Sequence, residues 1–532
     1  MKKIICFTLL TFCAGLHAQV SFSSETLTTV GSNRAVVDMN GDFLDDVVSV
    51  TSNNINIFYQ EPASSAMHFS EVNISTSNAN YTPSWSLAAG DYDHNGFNDL
   101  LYAGSGGVTF MKANDTGTAY SETSGNDYVF CQRSNFADIN NDGYLDAFVC
   151  HDIEPNVYYI NDGNGNLIFQ QGGLGDFPSG GNYGSVWIDY NNDRNLDLFI
   201  AKCGGSEDRR TNQIFRNNGD GTYTEVGQST NLADPIQTWS SAWGDYDNDG
   251  DMDVFVGAST GNHKLMRNNG NETFTDVSSA SGIWDLYETG IENATYDFDN
   301  DGNLDIASNG NILWGNGDLT FTISYNILSY DNGSFGDLNA DGFIDSFSND
   351  NIYWNNVNTN NWFTMNLIGI QSNANGIGAR IELTTDSGTQ IRDVRSGQGF
   401  RFMSTLNIHF GIGTNSSISS VIVYWPSGTI DVLQDPEINQ AFNLTEGETL
   451  DIEETKVTNL ILYPNPASDR LHLSEFADLQ NAVYTIFDIT GKKVLNNKLT
   501  SSEIDVSKLS AGSYILRIEN HGNIKTQKFF KK

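Results

Sequence analysis

Apolar positions in this chain fall in short runs, VVSV, LLYAG, AFVC, LFIA and VFVGA among them, each preceded by a polar stretch rich in aspartate. A little downstream of these runs come segments such as NQIFRNNGDGTYTEV (212–226), HKLMRNNGNETFTDV (263–277), VYYINDGNGNLIF (157–169) and NILWGNGDLTFTI (311–323). There, β-branched and aromatic residues flank Asn and Gly, which supply the positive φ of tight hairpin turns. The pattern predicts about four short strands per unit. Further on, ARIELT and SVIVYW alternate apolar and polar positions between glycine turns, the mark of half-buried strands in a small β-domain. Alternating strands return in the last 75 residues, after Pro464 and Pro466.

The polar stretches before the runs repeat. The pattern Asp-x-[DN]-x-[DN]-x-x-x-Asp occurs seven times, starting at Asp38, Asp91, Asp138, Asp189, Asp245, Asp297 and Asp337, at intervals of 40 to 56 residues. A period of about one four-stranded sheet, recurring, is the signature of a propeller. The predicted fold is therefore all-β, a seven-bladed propeller over residues 19–365, a small β-domain over 366–450, a linker at 451–457 and a β-sandwich over 458–532.

The start, MKKIICFTLLTFCAGLHAQV, has a basic tip and an apolar stretch too short to span a bilayer, so residues 1–18 are expected to be an export signal. No transmembrane span is expected in the mature protein. Of the cysteines, Cys131, Cys150 and Cys203 follow that segment. Their odd number denies a complete disulfide framework; a Cys131–Cys150 bridge and buried thiols both remain open.

Net charge sharpens the picture. The chain carries −39, but residues 1–18 hold +2 and 458–532 hold +3, which leaves −44 on the body between. Such a surface excludes nucleic acid as a partner and favours cations or basic ligands.

The regular placement of the aspartates gives that charge a purpose. Oxygens at positions 1, 3, 5 and 9 of each copy, with a backbone carbonyl at 7, converge when the loop curls, and a hard cation takes oxygen ligands in that way. Without an ion the carboxylates would raise one another's pKa or splay the loop. Up to seven calcium ions, mainly structural, are therefore expected. The candidate ligands are Asp38, Asn40, Asp42, Leu44 and Asp46; Asp91, Asp93, Asn95, Phe97 and Asp99; and Asp138, Asn140, Asp142, Tyr144 and Asp146. They continue with Asp189, Asn191, Asp193, Asn195 and Asp197, then Asp245, Asp247, Asp249, Asp251 and Asp253. The last two sets are Asp297, Asp299, Asp301, Asn303 and Asp305, and Asp337, Asn339, Asp341, Phe343 and Asp345. Phe43 and Arg194 stand where glycine is preferred, and Arg194 brings a cation that can compete with the metal. An EF-hand is excluded: position 12 is Tyr102, Val149, Val256 or Ser308 rather than Glu. The bland reading is a set of Asx-rich turns that bind nothing.

These units resemble FG-GAP or VCBS repeats, the blades of integrin α-subunit propellers, in which such ions pin the loop between two strands. The stretches NGIGAR (375–380), GQGF (397–400), HFGIG (409–413) and VYWPSG (423–428) resemble the ASPIC/UnbV domain. Propeller and domain together are similar to the cartilage acidic protein family. LYPNPASDRLHL (462–473), FDITGKKVL (487–495), LSAGSYILRIENHG (509–522) and KFFKK (528–532) resemble the type IX secretion C-terminal sorting domain. That resemblance implies passage through the periplasm and across the outer membrane, engagement with the type IX machinery, and a secreted or surface-displayed product.

Other residues invite two readings. Arg380, Arg392, Arg395 and Arg401, the basic cluster of the acidic body, are either an anion or docking site facing the propeller's acidic face, or ordinary exposed strand arginines. His409 is a structural histidine or a catalytic one. Trp85, Trp187, Trp239 and Trp243 are core residues or sugar-stacking ones. HExxH, Walker and GxSxG signatures are absent, and AGSGG (103–107) lacks the first glycine of the elbow. The expected function is a calcium-stabilised binding or adhesion module for an extracellular glycan or protein. The alternative is a calcium-dependent polysaccharide-degrading enzyme, a lyase or hydrolase.

Overall fold

The computed structural model describes residues 20–61, 69–176, 180–286, 290–450, 461–474, 482–488, 492–499, 501–520 and 523–532. The proposed signal segment and the 451–457 linker lie outside these residues. The chain divides into two compact units, one ending at Leu450 and one beginning at Asp451.

Within the first unit, residues 21–356 form seven four-stranded antiparallel sheets. Six are built from consecutive strands, as in Ser241–Gly244, Asp253–Val256, Lys264–Asn268 and Phe274–Asp276. The last takes its outer strand from the other end: Ser21–Thr26 pairs antiparallel with Asn351–Asn356. That pairing ties the beginning of the repeat region to its end, and the first strand of the first sheet, Ser32–Val36, lies against Ser334–Gly336 of the last. A β-propeller results. The second strand of each sheet is buried on both faces between neighbouring sheets, which is why these segments read as continuous apolar runs rather than alternations.

The next region contributes two sheets. One is three-stranded, in the order Ile408–Gly413, Asn361–Ile368, Ala441–Thr445, with a parallel pair between the last two. The other runs Gly388–Asp393, Arg380–Thr385, Ser420–Tyr424, Ile430–Gln434. The expected edge at 365 falls inside the strand Asn361–Ile368, which belongs wholly to this region. Phe363, Met365 and Leu367 enter a core shared with Phe136 and Val149 of the third propeller sheet.

Between Val394 and Asn407 the chain leaves these sheets and threads the ring of first strands. Arg133 donates to Ser396 O (3.1 Å) and Phe402 O (2.8 Å), and Arg395 donates to Trp243 O (2.8 Å). Met403 N donates to Arg34 O while Val36 N donates back to Met403 O, and Thr405 N donates to Phe335 O. Backbone groups that an irregular segment would otherwise bury unpaired are met by the strands around it.

The second unit has two sheets. One orders Ile461–Tyr463, Arg470–Ser474, Glu503–Asp505; the other orders Lys493–Lys498, Val483–Asp488, Gly512–Asn520, Asn523–Lys531. Leu471, Ile486, Leu516 and Phe529 are fully buried in the core of this unit.

Candidate metal loops and the docked arginines

Each acidic repeat is the connection from the first to the second strand of a propeller sheet, and two of its aspartates do the same work in every copy. The position-1 carboxylate accepts amides from the turn itself: Asp245 takes Asp249 N (3.0 Å) and Gly250 N (2.9 Å), and Asp297 takes Asp301 N (3.1 Å) and Gly302 N (2.8 Å). The position-9 carboxylate faces the other way. Asp253 accepts Tyr246 N (3.1 Å) and, from the third strand, Asn268 N (2.8 Å). The pairs recur at Asp46 (Met39, Gln60), Asp99 (Tyr92, Ala113), Asp146 (Ile139, Asn161), Asp197 (Tyr190, Asn217), Asp305 (Phe298, Gly315) and Asp345 (Leu338, Asn355). Position 9 therefore staples the loop to the body of its sheet.

Position 6 is left-handed throughout. Gly250 has φ 93° and Gly302 φ 97°, whereas Phe43 (66°) and Arg194 (68°) hold the same conformation at the steric cost a side chain incurs there. At position 7, predicted to offer a carbonyl, the amides of Leu44, Phe97, Tyr144, Asn195, Asp251, Asn303 and Phe343 each donate to the position-5 side chain.

At position 3 the copies diverge. Where it is Asp, carboxylates converge: in the sets Asp91–Asp93–Asp99, Asp245–Asp247–Asp253 and Asp297–Asp299–Asp305, one oxygen from each residue lies within 4.8 Å of the others. The outer oxygens Asp93 Oδ1 and Asp247 Oδ1 are enclosed without a hydrogen-bond partner. Where position 3 is Asn, its amide turns to the position-5 carboxylate instead, Asn40 to Asp42 (3.1 Å), Asn140 to Asp142 (2.9 Å), Asn191 to Asp193 (3.0 Å) and Asn339 to Asp341 (2.9 Å). The buried Asp clusters are thus able to hold metal ions, and the structure fits such an ion best at the three loops with Asp at position 3.

Electrostatics agree. Burial first, and neighbouring carboxylates second, push the position-9 acids up, Asp253 to about 8 and Asp46 and Asp197 to about 9. Asp245 and Asp337 rise to about 7 from the same cause, and Asp297 and Asp305, buried against each other's loop charges, rise well above the carboxylate range. A charge that strained needs a proton or a cation.

Two loops have a cation from the protein itself. Lys112 pairs with Asp93 at 2.7 Å. At loop 189–197 the cation is Arg380, not Arg194: Arg380 Nη2 donates to Asp189 O (2.8 Å) and lies 3.7 Å from its carboxylate, while Nη1 donates to Asn192 (2.6 Å). Arg194 turns away and stacks on Tyr424 at 3.6 Å.

The four arginines of the basic cluster are not exposed strand residues. Arg380 pairs with Asp393, Arg395 reaches the propeller backbone, and Arg401 pairs with Asp331 (2.9 Å) and Glu292 (3.6 Å). Arg392 lies over Phe410, and Asp297 and Asp245 are the acidic groups that favour its charge. They face the propeller, as the docking reading expected. His409 is buried, its Nε2 2.6 Å from Asn300 Oδ1. Trp187 and Trp243 are core residues, whereas Trp85 and Trp239 are half-buried around Phe400 of the threaded segment (5.7 and 5.1 Å between rings). Cys131 and Cys150 are buried free thiols, and Cys203 is free as well. Sequence reasoning missed the stapling role of position 9, although its presence in all seven copies was the available signal. It also missed Lys112 and the threading of 394–407, which no local pattern announces.

Sheets closed into a ring, with acidic loops at the first connection of each, define a β-propeller of the acidic-repeat class. Matches to the FG-GAP-like repeat model cover residues 38–102, 91–149, 138–200, 189–256 and 247–308, together about half of the chain. The chain belongs to the FG-GAP-like repeat family. Residues 369–451 match the ASPIC and UnbV model, and residues 461–532 match the secretion system C-terminal sorting domain, which marks a secreted or cell-surface protein engaged by that machinery. Cartilage acidic protein 1 of Homo sapiens is 26% identical over 305 residues, covering 46% of this chain and 45% of that protein. The Xenopus tropicalis protein of the same name is 25% identical over 269 residues, covering 44% and 41%. The chain thus spans less than half the length of these curated relatives.

Among solved structures, an Agrocybe aegerita lectin that recognises non-reducing terminal N-acetylglucosamine aligns over 59% of this chain and 81% of its own, at TM-score 0.39 and 15% identity. The extracellular domain of BT4673 from B. thetaiotaomicron aligns over 97% and 58%, at TM-score 0.38 and 10% identity. Likeness at that level has no bearing on function. No helix among the described residues is long and apolar enough to cross a membrane.

Proposed function

We propose that this secreted or surface protein is a calcium-stabilised propeller that binds an extracellular glycan or protein. The observation that carries the calcium reading is the convergence of Asp245, Asp247 and Asp253, and of their counterparts in loops 91–99 and 297–305, to within 4.8 Å. The ion would be held by these carboxylates and would supply the positive charge that their burial demands. Because the same loop serves successive sheets, the role is structural. Position-1 and position-9 carboxylates already accept backbone amides, which favours a scaffold over the polysaccharide-degrading alternative, whose acid and base would need to be free. The loops with Asn at position 3, 38–46, 138–146, 189–197 and 337–345, are weaker sites on this reading.

Isothermal titration of the chelated, mature protein with calcium, beside a glycan array and a polysaccharide-degradation assay, tests it. Calcium uptake with array binding and no degradation is the expected result. Degradation that survives loss of array binding would overturn the binding role.

A further inference from the structure

A cleft of about 310 Å3 lies between the three-stranded sheet and the loops 38–46 and 337–345. We infer that it is a binding site for one neutral, hydroxyl-rich sugar residue; the inference rests on the ligand-binding reading above and names its site.

Strand alternation builds one wall. Along Asn361–Ile368 the residues Phe363, Met365 and Leu367 enter the core, so Trp362, Thr364 and Asn366 face the opposite side. His409 and Ala441 sit beside Thr364 on the two neighbouring strands and line the same cleft. Phe43, Leu44 and Asp45 of the first acidic loop form the facing wall. Trp362 is fixed by packing on Gly342, where a Cβ would sit 1.8 Å from the indole ring.

Two of these side chains, Asn366 and His409, are at least nine-tenths buried, and each keeps a polar atom without a partner, Asn366 Oδ1 and His409 Nδ1. Their orientations are set from behind. Asn300 donates its amide to Gly342 O (2.9 Å), which turns its Oδ1 to His409 Nε2 at 2.6 Å; His409 must then donate from Nε2 and offer Nδ1 as an acceptor. Asn366 donates to Asn443 Oδ1 (2.8 Å), which leaves its own oxygen as the acceptor without a donor. Asp45 beside them is already satisfied, by Asp337 N (3.0 Å) and the Thr405 side chain.

A buried acceptor without a donor costs free energy, so two of them lining one cleft call for a ligand rich in donors. A hydroxylated ring supplies O–H donors to both and lays a C–H face on Trp362. The volume, at the lower end of ligand pockets (about 300–1,000 Å3), suits a single ring. An organic ammonium would also satisfy acceptors; Asp45 and Asp337 in the lining would draw it, and Arg392, in an adjoining cavity that shares His409, Thr405 and Asn407 with this one, would oppose it, so methylammonium is the control that separates the two.

Saturation-transfer NMR on the full mature chain in calcium, with free glucose, galactose and mannose as probes and glucuronate and methylammonium as controls, tests the site. Transfer to at least one neutral sugar is expected, weakened at least tenfold by His409→Leu and by Ala441→Trp, which fills the cleft without removing a buried partner. Transfer to no neutral sugar, preference for methylammonium, or unchanged binding in Ala441→Trp would overturn the inference. If Ala441→Trp keeps glycan-array binding, the cleft is wrong and the wider binding role stands. If the wild type shows no array binding but transfers to a sugar at the cleft, the wider role fails and the cleft stands.

Discussion

Loops 189–197 and 245–253 occupy the same place in adjacent sheets, share the position-1 and position-9 aspartates, and neutralise their charge by different means. In the second, three carboxylates crowd within 4.8 Å and no side-chain ammonium or guanidinium forms an ion pair with them among the described residues. In the first, Asn191 donates to Asp193 (3.0 Å), and Arg380 from the neighbouring region reaches the Asp189 backbone and carboxylate. One repeat motif thus appears in two forms: a carboxylate cluster able to hold an external cation in one sheet and a docking point for an internal one in the next. Between these two loops position 3 makes a difference, since an amide donates where a carboxylate only accepts.

The comparison makes graded predictions. The largest effect belongs to calcium removal. An ion bound only by the folded state contributes about 2.7 kcal/mol at a hundredfold excess over its Kd, so emptying three sites should lower the Tm by about 7 °C in a chain of this size. Scanning calorimetry in calcium and in EDTA reads it directly.

The pH slope in EDTA sharpens the same point. Asp245 near 7 and Asp253 near 8 are raised above the unfolded carboxylate value of 3.8, so the folded state holds protons that the unfolded one releases. Their contribution is full below about pH 4 and is lost as the pH rises through 7–8. The chelated protein should therefore melt progressively lower from pH 5 to 8, and calcium should flatten that slope. A chelated protein whose Tm rises over the same range would contradict the crowding.

Next comes Arg380→Met, which leaves the buried Asp393 with only the longer Arg395 contact (3.5 Å) and removes the cation at Asp189; a loss of about 3 kcal/mol is expected. Denaturant melts should give the same loss with and without calcium, because this loop's cation is covalently part of the chain. Asp253→Ala removes acceptors from Tyr246 N and Asn268 N and should cost about 2–5 kcal/mol, more in calcium than in EDTA. Equal losses in both buffers would mean that Asp253 is a staple and no ligand. The smallest effect is Arg194→Gly. Relief of a left-handed φ of 68° offsets the lost stack on Tyr424, and stability should change by about 0.5 kcal/mol or less.

Much of this architecture was legible in the sequence because it is repeated and local. Seven aspartate motifs, each followed by an apolar run and four of them by an Asn-Gly hairpin signal, correspond to the seven four-stranded sheets. The arginine cluster was legible as charge complementarity, Arg380 and Arg401 meeting Asp189, Glu292 and Asp331. What escaped depends on contacts hundreds of residues apart. Nothing in SFSSET announces that Ser21–Thr26 completes the last sheet. Nor does GQGFRFM show that it will run through the propeller's centre, and Asp45, Asn366 and His409 meet only through tertiary folding. The Asp-to-Asn difference at position 3 was visible as letters. Its consequence was not, since only the folded loop shows the amide turning onto the position-5 carboxylate.

Elemental analysis of the native mature protein, after equilibration in millimolar calcium and removal of free ion, tests the central claim most directly. The account predicts at least three tightly held calcium ions per chain, one for each loop with Asp at position 3. A folded protein that retains none would contradict it.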